Sequence, residues 1–384
     1  IKSVSDVLRN GFLAQGPVID QFESAFANYV GSKYAVAVSS CTAGLHLASK
    51  AAGLKSGDNL ITSPITFVSS ANAGLYVGAN VAFSDVNSDT INLDAAALEQ
   101  SLKDNPNTKV VVPVHFAGLP CDMEAIQKVC DNSGALIIED AAHALGASYT
   151  NGKMVGCCCF SLMTVFSLHP VKSIAAGEGG VITTNDEELY RKLLRLRSHG
   201  INKLDDLFQN KDFAYTGSEL NPWYYEMQEL GFHYRITDIQ CALAHSQLEK
   251  LSAFVQKRRQ LASSYYKYFD GISSLKPAQE KGLTTASSFH IFVLRIDFHA
   301  IDHTRASLMN HLRSIGICTQ VHYIPVPMHP VYGAKVDLYK TLPNAFSYYQ
   351  QALTIPLFYT LDSDSQSFVA SSIVEAVKAK TIVK

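Results

Sequence analysis

Short apolar runs alternate with helical patterns along the first two thirds of the chain. Several runs are nearly continuous and rich in β-branched residues, as expected of strands that are covered on both faces. The predicted strands are Tyr34–Val38, Asn59–Thr62, Val81–Asp85, Lys109–Val114, Ala135–Asp140, Val165–Ser167 and Gly180–Thr184. Helices are predicted between them at about Thr42–Ala52, Val68–Val77 and Asp122–Asn132.

This alternation of strands and helices predicts an α/β fold with a mostly parallel sheet. Ligands of such sheets bind beyond the carboxyl ends of the strands. Ser40, Asp140 and Ser167 all fall at or just after predicted strand ends. We therefore expect a binding site along that edge of the sheet.

The last third of the chain has a different pattern. A long helix is predicted over Thr237–Phe269, with a break, followed by an alternating strand over Phe289–Ile296. Two more helices are predicted near Thr304–Ile315 and Ser363–Ala379, and the polar stretch Leu204–Trp223 is predicted to be a surface loop. We expect a large α/β domain over residues 1–250 and a smaller α+β domain over residues 251–384.

Composition narrows the function classes. The 384 residues are 47% hydrophobic and 17% charged, with a formal net charge of −2. Such a charge provides no positive electrostatic field that would attract nucleic acid or an anionic membrane. No apolar run of membrane-spanning length occurs, and the start, Ser3–Asn10, is typical of a helix tail and not of a signal peptide. Eight scattered cysteines without a C-x-x-C pair favour the cytoplasm. On an extended segment, adjacent residues of Cys157–Cys159 would point to opposite faces, so we expect buried or half-buried thiols there and no metal.

Lys172 is the first candidate for chemistry. It follows the apolar run Val165–Ser167 and precedes a turn of small residues, Gly177–Gly180. A lysine in such a place is commonly a solvated surface residue. Together with a nearby hydroxyl and a carboxylate, however, it has the parts that hold pyridoxal phosphate, because the amine can form an imine once burial lowers its pKa.

Asp140 ends an apolar strand, where a carboxylate is costly unless it is paired. It could cap the segment that follows, or it could pair with the pyridinium nitrogen of the cofactor. His143, three residues further on, could orient Asp140 or contact the ring, and it could equally be a packed structural histidine.

The segment Ser39–Gly44 leads into a predicted helix. Hydroxyls and small residues at a helix start direct backbone N–H groups toward an anion such as a phosphate, although the same residues suit an ordinary cap. Ser167 is a second candidate for the phosphate. Phe67 could stack on the cofactor ring or pack in the core.

Taken together, these motifs resemble successive signatures of the DegT/DnrJ/StrS sugar aminotransferases. The matching segments, which follow the family's order over nearly the whole chain, are Gly16–Glu23, Ser39–His46, Glu139–Gly146, Phe166–Gly180, Leu230–Gln240 and His322–Pro325. The resemblance implies the fold type I architecture of pyridoxal-phosphate-dependent aminotransferases. It also implies a homodimer whose active sites lie at the subunit interface.

The resemblance assigns roles to the candidate residues. Lys172 corresponds to the lysine that holds pyridoxal 5′-phosphate as a Schiff base, and Asp140 to the partner of the ring nitrogen. His143 lies beside the ring, and Phe67 corresponds to the aromatic residue that stacks on it. The remaining cofactor positions are Cys41, Thr42, Ala43, Ser167 and His233.

Two positions depart from the family pattern. His233 stands where the family usually has an asparagine that reaches the neighbouring subunit's phosphate, and Cys41 stands where alanine or glycine is usual. From the resemblance we expect that the family's first strand, which carries substrate contacts, is missing before Ile1. The residues expected to contact substrate are Leu13, Ala14, Gln15, Gly16, His322 and Tyr323.

Within the family, Leu13–Gly16 and Asn221–Gln228 most resemble the pseudaminic-acid branch, whose members aminate C4 of a UDP-linked 4-keto-6-deoxy-N-acetyl-altrosamine. The aromatic side chains of the second segment could stack on sugar or uracil, or pack against the partner subunit. The resemblance implies L-glutamate as amino donor.

Alternative substrates are other 4-keto nucleotide sugars, linked to dTDP or GDP or of the UDP-bacillosamine type. Two rival functions are a sugar dehydratase and a non-catalytic cofactor-binding regulator. The dehydratases have histidine at the position of Lys172, and a regulator would not need Lys172, Asp140 and Ser167 together.

Overall fold

The structure is a computed structural model that describes residues 1–203, 208–283, 286–332 and 337–378. Among these residues, a seven-stranded sheet forms the centre of the fold. In chain order its strands are β1 (Tyr34–Val38), β2 (Asn59–Thr62), β3 (Asn80–Phe83), β4 (Thr108–Val112), β5 (Leu136–Asp140), β6 (Met163–Ser167) and β7 (Gly180–Thr184). Their order in space is β1-β7-β6-β5-β4-β2-β3.

The sheet is parallel except at β7, which runs antiparallel to both β1 and β6. The other neighbouring pairs are parallel, which confirms the mostly parallel sheet of an α/β protein. Ser167, the last residue of β6, lies opposite Gly180, the first residue of β7. Residues 168–179 therefore turn back at the carboxyl edge of β5 and β6, and this turn carries Lys172.

Helices cover both faces of the sheet, and seven of the fourteen described helices begin at a capping side chain. Asp94, Asp122 and Asp186 each accept hydrogen bonds from the first turn of the helix that follows. The helices are α1 (Lys2–Asn10), α2 (Pro17–Val30), α3 (Cys41–Ala51), α4 (Ser69–Tyr76), α5 (Ala95–Asp104), α6 (Met123–Ser133), α7 (Glu187–Arg197), α8 (Lys211–Ala214), α9 (Asp238–Leu248), α10 (Leu251–Tyr268), α11 (Arg305–Ser314), α12 (Leu338–Thr341), α13 (Pro343–Gln351) and α14 (Ser363–Ala376).

The long helix predicted over Thr237–Phe269 is divided into α9 and α10, so the predicted break is confirmed. The polar stretch 204–223 is only partly irregular, because it contains α8 and the short strands β9 (Tyr215–Thr216) and β10 (Glu219–Leu220). Residues 204–207 of that stretch, and Ala379 of the predicted terminal helix, lie outside the described residues. Another short pair joins β8 (Ile201–Asn202) to β11 (Glu226–Met227).

A second, three-stranded antiparallel sheet consists of β12 (Leu275–Pro277), β13 (Phe292–Ile296) and β14 (Ala352–Ile355). The strand predicted from Phe289 begins later, because Phe289 has a φ of 48° in the left-handed region. The hydrophobic cluster around this sheet lies within residues 261–377. Helix α10 starts in the cluster of the large sheet and ends in this one, and the domain boundary at residue 250 stays a prediction.

Two buried polar groups brace the large sheet. Arg197 of α7 donates to Glu23 of α2 and to the carbonyl of Ala37 in β1, which ties both helices to the first strand. Among the described residues, no helix combines the length and the apolar character that crossing a bilayer requires.

Candidate active site

A cavity of about 500 Å³ opens at the carboxyl edge of the large sheet. It brings together nine of the residues singled out from the sequence: Cys41, Thr42, Phe67, Asp140, His143, Ser167, Lys172, His322 and Tyr323. The other lining residues are Ser40, Thr66, Ser69, Val114, Ala142, His169, Val171 and Glu178. Most of them lie at or after the ends of strands β1, β2, β5 and β6, as the sequence predicted.

The start of helix α3 forms one wall of the cavity. Ser40 caps this helix, since its Oγ accepts the N–H of Ala43 at 3.1 Å. The helix's first two residues, Cys41 and Thr42, line the cavity, while Ala43 is buried behind them. Burial raises the pKa of the Cys41 thiol, and the nearby Asp140 raises it further, so this thiol stays protonated.

Gly180 allows β7 to approach this helix start closely. A Cβ built on Gly180 would lie 2.6 Å from the carbonyl oxygen of Ser40 and 2.7 Å from the nitrogen of Cys41. Any larger residue would therefore have to displace the backbone at the start of α3. The N-terminus of a helix attracts anions, so this part of the cavity wall could hold a phosphate. Its position depends on the absence of a side chain at Gly180.

Lys172 lies on the connection between β6 and β7, where its N–H donates to the carbonyl of His169 at 2.9 Å. The residue as a whole is half-buried. Burial around its amine lowers the Lys172 pKa below the ordinary value, and the charge of the nearby Asp140 opposes this only in part. The amine is therefore neutral at a lower pH than that of an exposed lysine, as imine chemistry requires.

Asp140 is almost fully buried, with 3% of its surface exposed. Its Oδ2 accepts a hydrogen bond from the hydroxyl of Ser70 at 2.6 Å, and its Oδ1 accepts one from the N–H of Ala142 at 3.0 Å. A buried carboxylate is tolerated when it is paired in this way. The contact with Ala142 resembles a local cap, so the capping interpretation of Asp140 and a binding role are compatible.

The neighbouring Glu139 faces away from Asp140, because successive strand residues point to opposite sides. It is fully buried and accepts hydrogen bonds from His115 Nε2 at 2.8 Å and from the Tyr149 hydroxyl at 2.7 Å. Burial raises the Glu139 pKa, but the hydrogen bonds from His115 and other donors outweigh it and hold the pKa below its ordinary value. This network anchors the end of β5 from behind.

His143 is buried at the wall of the cavity. Its Nε2 lies 3.0 Å from the hydroxyl of Tyr323, and its ring centroid lies 4.4 Å from that of His290. Burial lowers the His143 pKa well below the ordinary value, with the charge of Lys172 acting in the same direction. Its Nδ1 is buried without a hydrogen-bond partner among the described residues, so His143 is a neutral imidazole with one nitrogen left to bond.

His322 reaches the cavity from the small sheet. Its Nδ1 lies 2.9 Å from the Thr354 hydroxyl of β14, and its carbonyl accepts the Tyr348 hydroxyl at 2.6 Å. Burial, followed by the charge of Lys172, lowers the His322 pKa to about 4. The segment carrying His322 and Tyr323 is thus held by residues that belong to the small sheet and its neighbouring helix α13.

Phe67 and Ser167 complete the predicted set. Phe67 leaves 58% of its surface exposed at the cavity, so it does not pack in the core. Ser167 Oγ accepts the N–H of His169 at 3.3 Å, which leaves the hydroxyl proton for a ligand.

Two predicted elements do not line this cavity within one chain. The segment Leu13–Gly16 lies against the start of α9, where Ala14 pairs with Thr237 and the N–H of Gly16 donates to Asp238 Oδ1 at 2.6 Å. His233 pairs with Ser198, and its ring stacks on that of His199 at 5.2 Å. The roles expected of these residues stay predictions.

The sequence analysis missed Thr66, Ser70 and His290. The first two are four residues apart, Thr66 just before α4 and Ser70 in its first turn, with their hydroxyls 2.7 Å from each other. Residues four apart lie on one face of a helix, so this spacing indicates that the two side chains can meet. His290 had no such signal, because its contact with His143 depends on the packing of the small sheet.

The residues present fit pyridoxal phosphate. The cavity combines an amine with a lowered pKa, a fixed buried carboxylate, an exposed aromatic face and a capped helix start. The Nδ1 of His143, which has no hydrogen-bond partner among the described residues, is a further polar atom to which a ligand could bond. Lys172, Asp140, Ser167 and the first turn of α3 are the residues that would hold the cofactor.

Comparisons with known proteins agree with this fit. A family model for the DegT/DnrJ/EryC1/StrS aminotransferase family matches residues 1–374. The chain is also 38% identical to the spore coat polysaccharide biosynthesis protein SpsC of Bacillus subtilis, in an alignment of 382 residues that covers 98% of this chain and 94% of that protein.

Solved structures are similar over nearly the whole chain. PseC of Helicobacter pylori, an aminotransferase involved in the biosynthesis of pseudoaminic acid, has a TM-score of 0.86 and 31% identity, with 98% of this chain and 95% of that one covered. The PLP form of the sugar aminotransferase Spr1654 from Streptococcus pneumoniae has a TM-score of 0.86 and 26% identity, with 98% and 95% covered.

Proposed function

The chain belongs to the DegT/DnrJ/EryC1/StrS aminotransferase family, and we propose that it moves an amino group from L-glutamate to C4 of a UDP-linked 4-keto-6-deoxy-N-acetyl-hexosamine. Membership makes the protein a pyridoxal-phosphate-dependent sugar aminotransferase. The finer choice of sugar is supported by the similarity to PseC and by the segments Leu13–Gly16 and Asn221–Gln228. Other 4-keto nucleotide sugars are the alternative substrates.

The observation that carries the proposal is that Lys172, Asp140 and the start of α3 share one cavity. When bound, pyridoxal phosphate supplies an electron sink that stabilises negative charge on the carbon that loses or gains the amino group. Asp140, kept in place by Ser70 and Ala142, would pair with the ring nitrogen. Thr42 and Ser167 would donate to the phosphate.

Lys172 would move the protons. Because burial lowers its pKa, its Nζ can take the proton from Cα of glutamate at a pH where an exposed lysine stays charged. In the second half of the reaction the same Nζ would deliver a proton to C4 of the sugar. One amine thus serves as base and then as acid at the two reacting carbons.

We also propose that two copies share their active sites. Large apolar side chains are exposed in a single chain, among them Trp223 with 73% and Leu230 with 70% of its surface accessible. His233 and Leu13–Gly16, which the family resemblance places at active sites, lie outside the cavity of their own chain. A molar mass of one chain in light scattering at micromolar concentration would contradict this dimer.

A cytoplasmic location is part of the same proposal. All eight cysteines are free, and five of them are buried around the large sheet: Cys121, Cys130, Cys157, Cys158 and Cys241. Free thiols in this number suit a reducing compartment, where a nucleotide-sugar substrate would also be found.

The test of function has two stages. The protein loaded with pyridoxal phosphate is mixed with L-glutamate, and the loss of yellow absorbance is followed together with the formation of 2-oxoglutarate. A panel of UDP-, dTDP- and GDP-linked 4-keto sugars is then added, and amino-sugar products are identified by mass spectrometry. An inert first stage would favour a regulator, while turnover of another sugar alone would reject the UDP-linked hexosamine.

A further inference from the structure

Ser70 is a buried residue of the active-site region that the proposed chemistry does not yet use. It is the second residue of α4 and has no exposed surface. Its Oγ lies 2.6 Å from Asp140 Oδ2, 2.7 Å from Thr66 Oγ1 and 3.3 Å from the carbonyl oxygen of Phe67. Seventy residues separate it from Asp140 in sequence, so this contact depends on the tertiary fold.

The direction of these hydrogen bonds follows from the acceptors. An ionised carboxylate can only accept, so Ser70 donates its single hydroxyl proton to Asp140. The carbonyl of Phe67 is further away and uncharged, and it competes weakly for that proton. Thr66 must then donate to Ser70, which makes a chain from Thr66 through Ser70 to Asp140.

We propose that Ser70 is a positioning residue that fixes the rotation of the Asp140 carboxylate for the cofactor's ring nitrogen. With Ser70 on Oδ2 and the Ala142 N–H on Oδ1, the carboxylate is held at both oxygens. Each oxygen keeps a further lone pair that can accept a proton donor from the cavity. The inference rests on the role proposed for Asp140.

The placement of Ser70 also couples two walls of the site. Residues 66–70 carry the exposed ring of Phe67 into the cavity and, on the next turn, hold Asp140 through Ser70. A shift of α4 would therefore move the aromatic face and the carboxylate together. The hydroxyl of Ser70 is the only polar side-chain link between α4 and Asp140 among the described residues.

The experiment compares the holoenzymes and apoproteins of wild type, Ser70→Ala, Ser70→Thr, Asp140→Asn and Ser84→Ala. Ser84 is the matched control, because it is equally buried in the large-sheet region and its Oγ has no partner among the described residues. Three quantities are measured: the dissociation constant for pyridoxal phosphate, the maximal rate and half-saturation of the glutamate half-reaction, and the melting temperature of the apoprotein.

We expect Ser70→Ala to weaken cofactor binding and to slow the maximal half-reaction rate roughly tenfold or more, since a hydrogen bond to a charged group is lost. Half-saturation by glutamate should stay within about twofold, and Ser70→Thr should restore both affected quantities. Ser84→Ala should match wild type in cofactor binding and rate. A role limited to packing would instead lower the melting temperature with cofactor affinity unchanged.

Two outcomes separate the inference from its premise. If Asp140→Asn loses affinity and rate while Ser70→Ala matches wild type, the positioning role of Ser70 is wrong. If Asp140→Asn itself matches wild type, the proposed role of Asp140 fails. Should Ser70→Ala not fold, Ser70→Cys replaces the hydroxyl by a weaker donor at the same place, and an unchanged affinity and rate in that variant would also reject the inference.

Discussion

The phenol oxygen of Tyr323 lies 3.0 Å from Nε2 of His143, across 180 residues of sequence. His143 follows the central strand β5, whereas Tyr323 adjoins His322, which is bonded to β14 of the small sheet. Burial raises the Tyr323 pKa and lowers that of His143, so the pair shares one hydrogen bond between neutral groups. The Tyr323 hydroxyl, which is expected to contact substrate, is therefore hydrogen-bonded to His143, the residue predicted to lie beside the cofactor ring.

Tyr323→Phe should weaken binding of pyridoxal phosphate. Without the Tyr323 hydroxyl, the His143 ring is no longer fixed at the cavity wall. Fixing it again on binding would cost about the worth of one hydrogen bond, roughly 0.5–1.5 kcal/mol, which is a loss of affinity of about two- to tenfold. Fluorescence titration of the apoprotein measures this change. The control is Tyr332→Phe, which removes a comparable hydroxyl bonded to Asn72 at 2.7 Å, and equal affinities of the two variants would contradict the prediction.

Lys172→Ala should abolish the covalent bond to the cofactor and all detectable turnover. No other lysine lines the cavity among the described residues, so no amine is placed to replace it. Borohydride reduction followed by peptide mass spectrometry should find the cofactor attached to Lys172 in wild type and nowhere in the variant. Lys33→Ala, which removes an exposed lysine, should behave as wild type, and normal activity of Lys172→Ala would overturn the assignment.

Gly180→Ala should impair both stability and cofactor binding. Its Cβ would collide with the backbone of Ser40 and Cys41, and overpacking of this kind costs roughly 1–3 kcal/mol. We expect a lower melting temperature of the apoprotein and a weaker affinity for pyridoxal phosphate. Gly282→Ala is the control, because no atom of the described residues lies within 4 Å of a Cβ there. A variant at 180 that binds as tightly as this control would show that the close approach is dispensable.

The apoprotein should lose stability as the pH falls from about 6.5 toward 4. Burial keeps the His322 pKa at about 4 in the folded chain, while an unfolded histidine has a pKa near 6.5. Between these values the unfolded state binds more protons, so the free energy of unfolding decreases with decreasing pH, by up to roughly 3 kcal/mol for this group. The lowered pKa values of His143 and His290 act in the same direction.

Urea unfolding at a series of pH values measures this dependence. His322→Gln should flatten the slope between pH 6.5 and 4, whereas substitution of the exposed His299 by Gln should leave it unchanged. Identical slopes for His322→Gln and wild type would show that His322 does not contribute.

Much of the large sheet was predictable because its strands have an unambiguous pattern. The strands β1, β2 and β7 have the predicted bounds, since buried strands need continuous apolar residues. The positions of Asp140 and Ser167 followed from the same pattern, as both end strands at the carboxyl edge. The direction of β7 within the sheet was not predictable, because its apolar run is the same whether the strand pairs parallel or antiparallel.

The contacts that complete the site depend on residues far apart in the chain. Ser70 meets Asp140, and His290 packs on His143, only because α4 and the small sheet close over the strand ends. Local sequence patterns cannot predict such contacts, since the spacing of two residues along the chain does not determine the distance between them in space. The strand at Phe289–Ile296 shows the same limit, because backbone conformation at Phe289 delays its start.

The residues that line the cavity are held by two different sheets, and the two groups of residues differ in how far they can be substituted without loss of activity. The Lys172 amine, the Asp140 carboxylate and the start of α3 lie at the carboxyl edge of the large sheet. His322 and Tyr323 are instead held by Thr354 and Tyr348 at the small sheet. Substitutions around the small sheet can therefore change the side of the cavity that His322 lines while the Lys172 amine keeps its place. Divergence of acceptor preference within one lineage would then require few mutations, and directed evolution of this enzyme should begin at residues 320–322 and 324, with Tyr323 kept because it bonds His143.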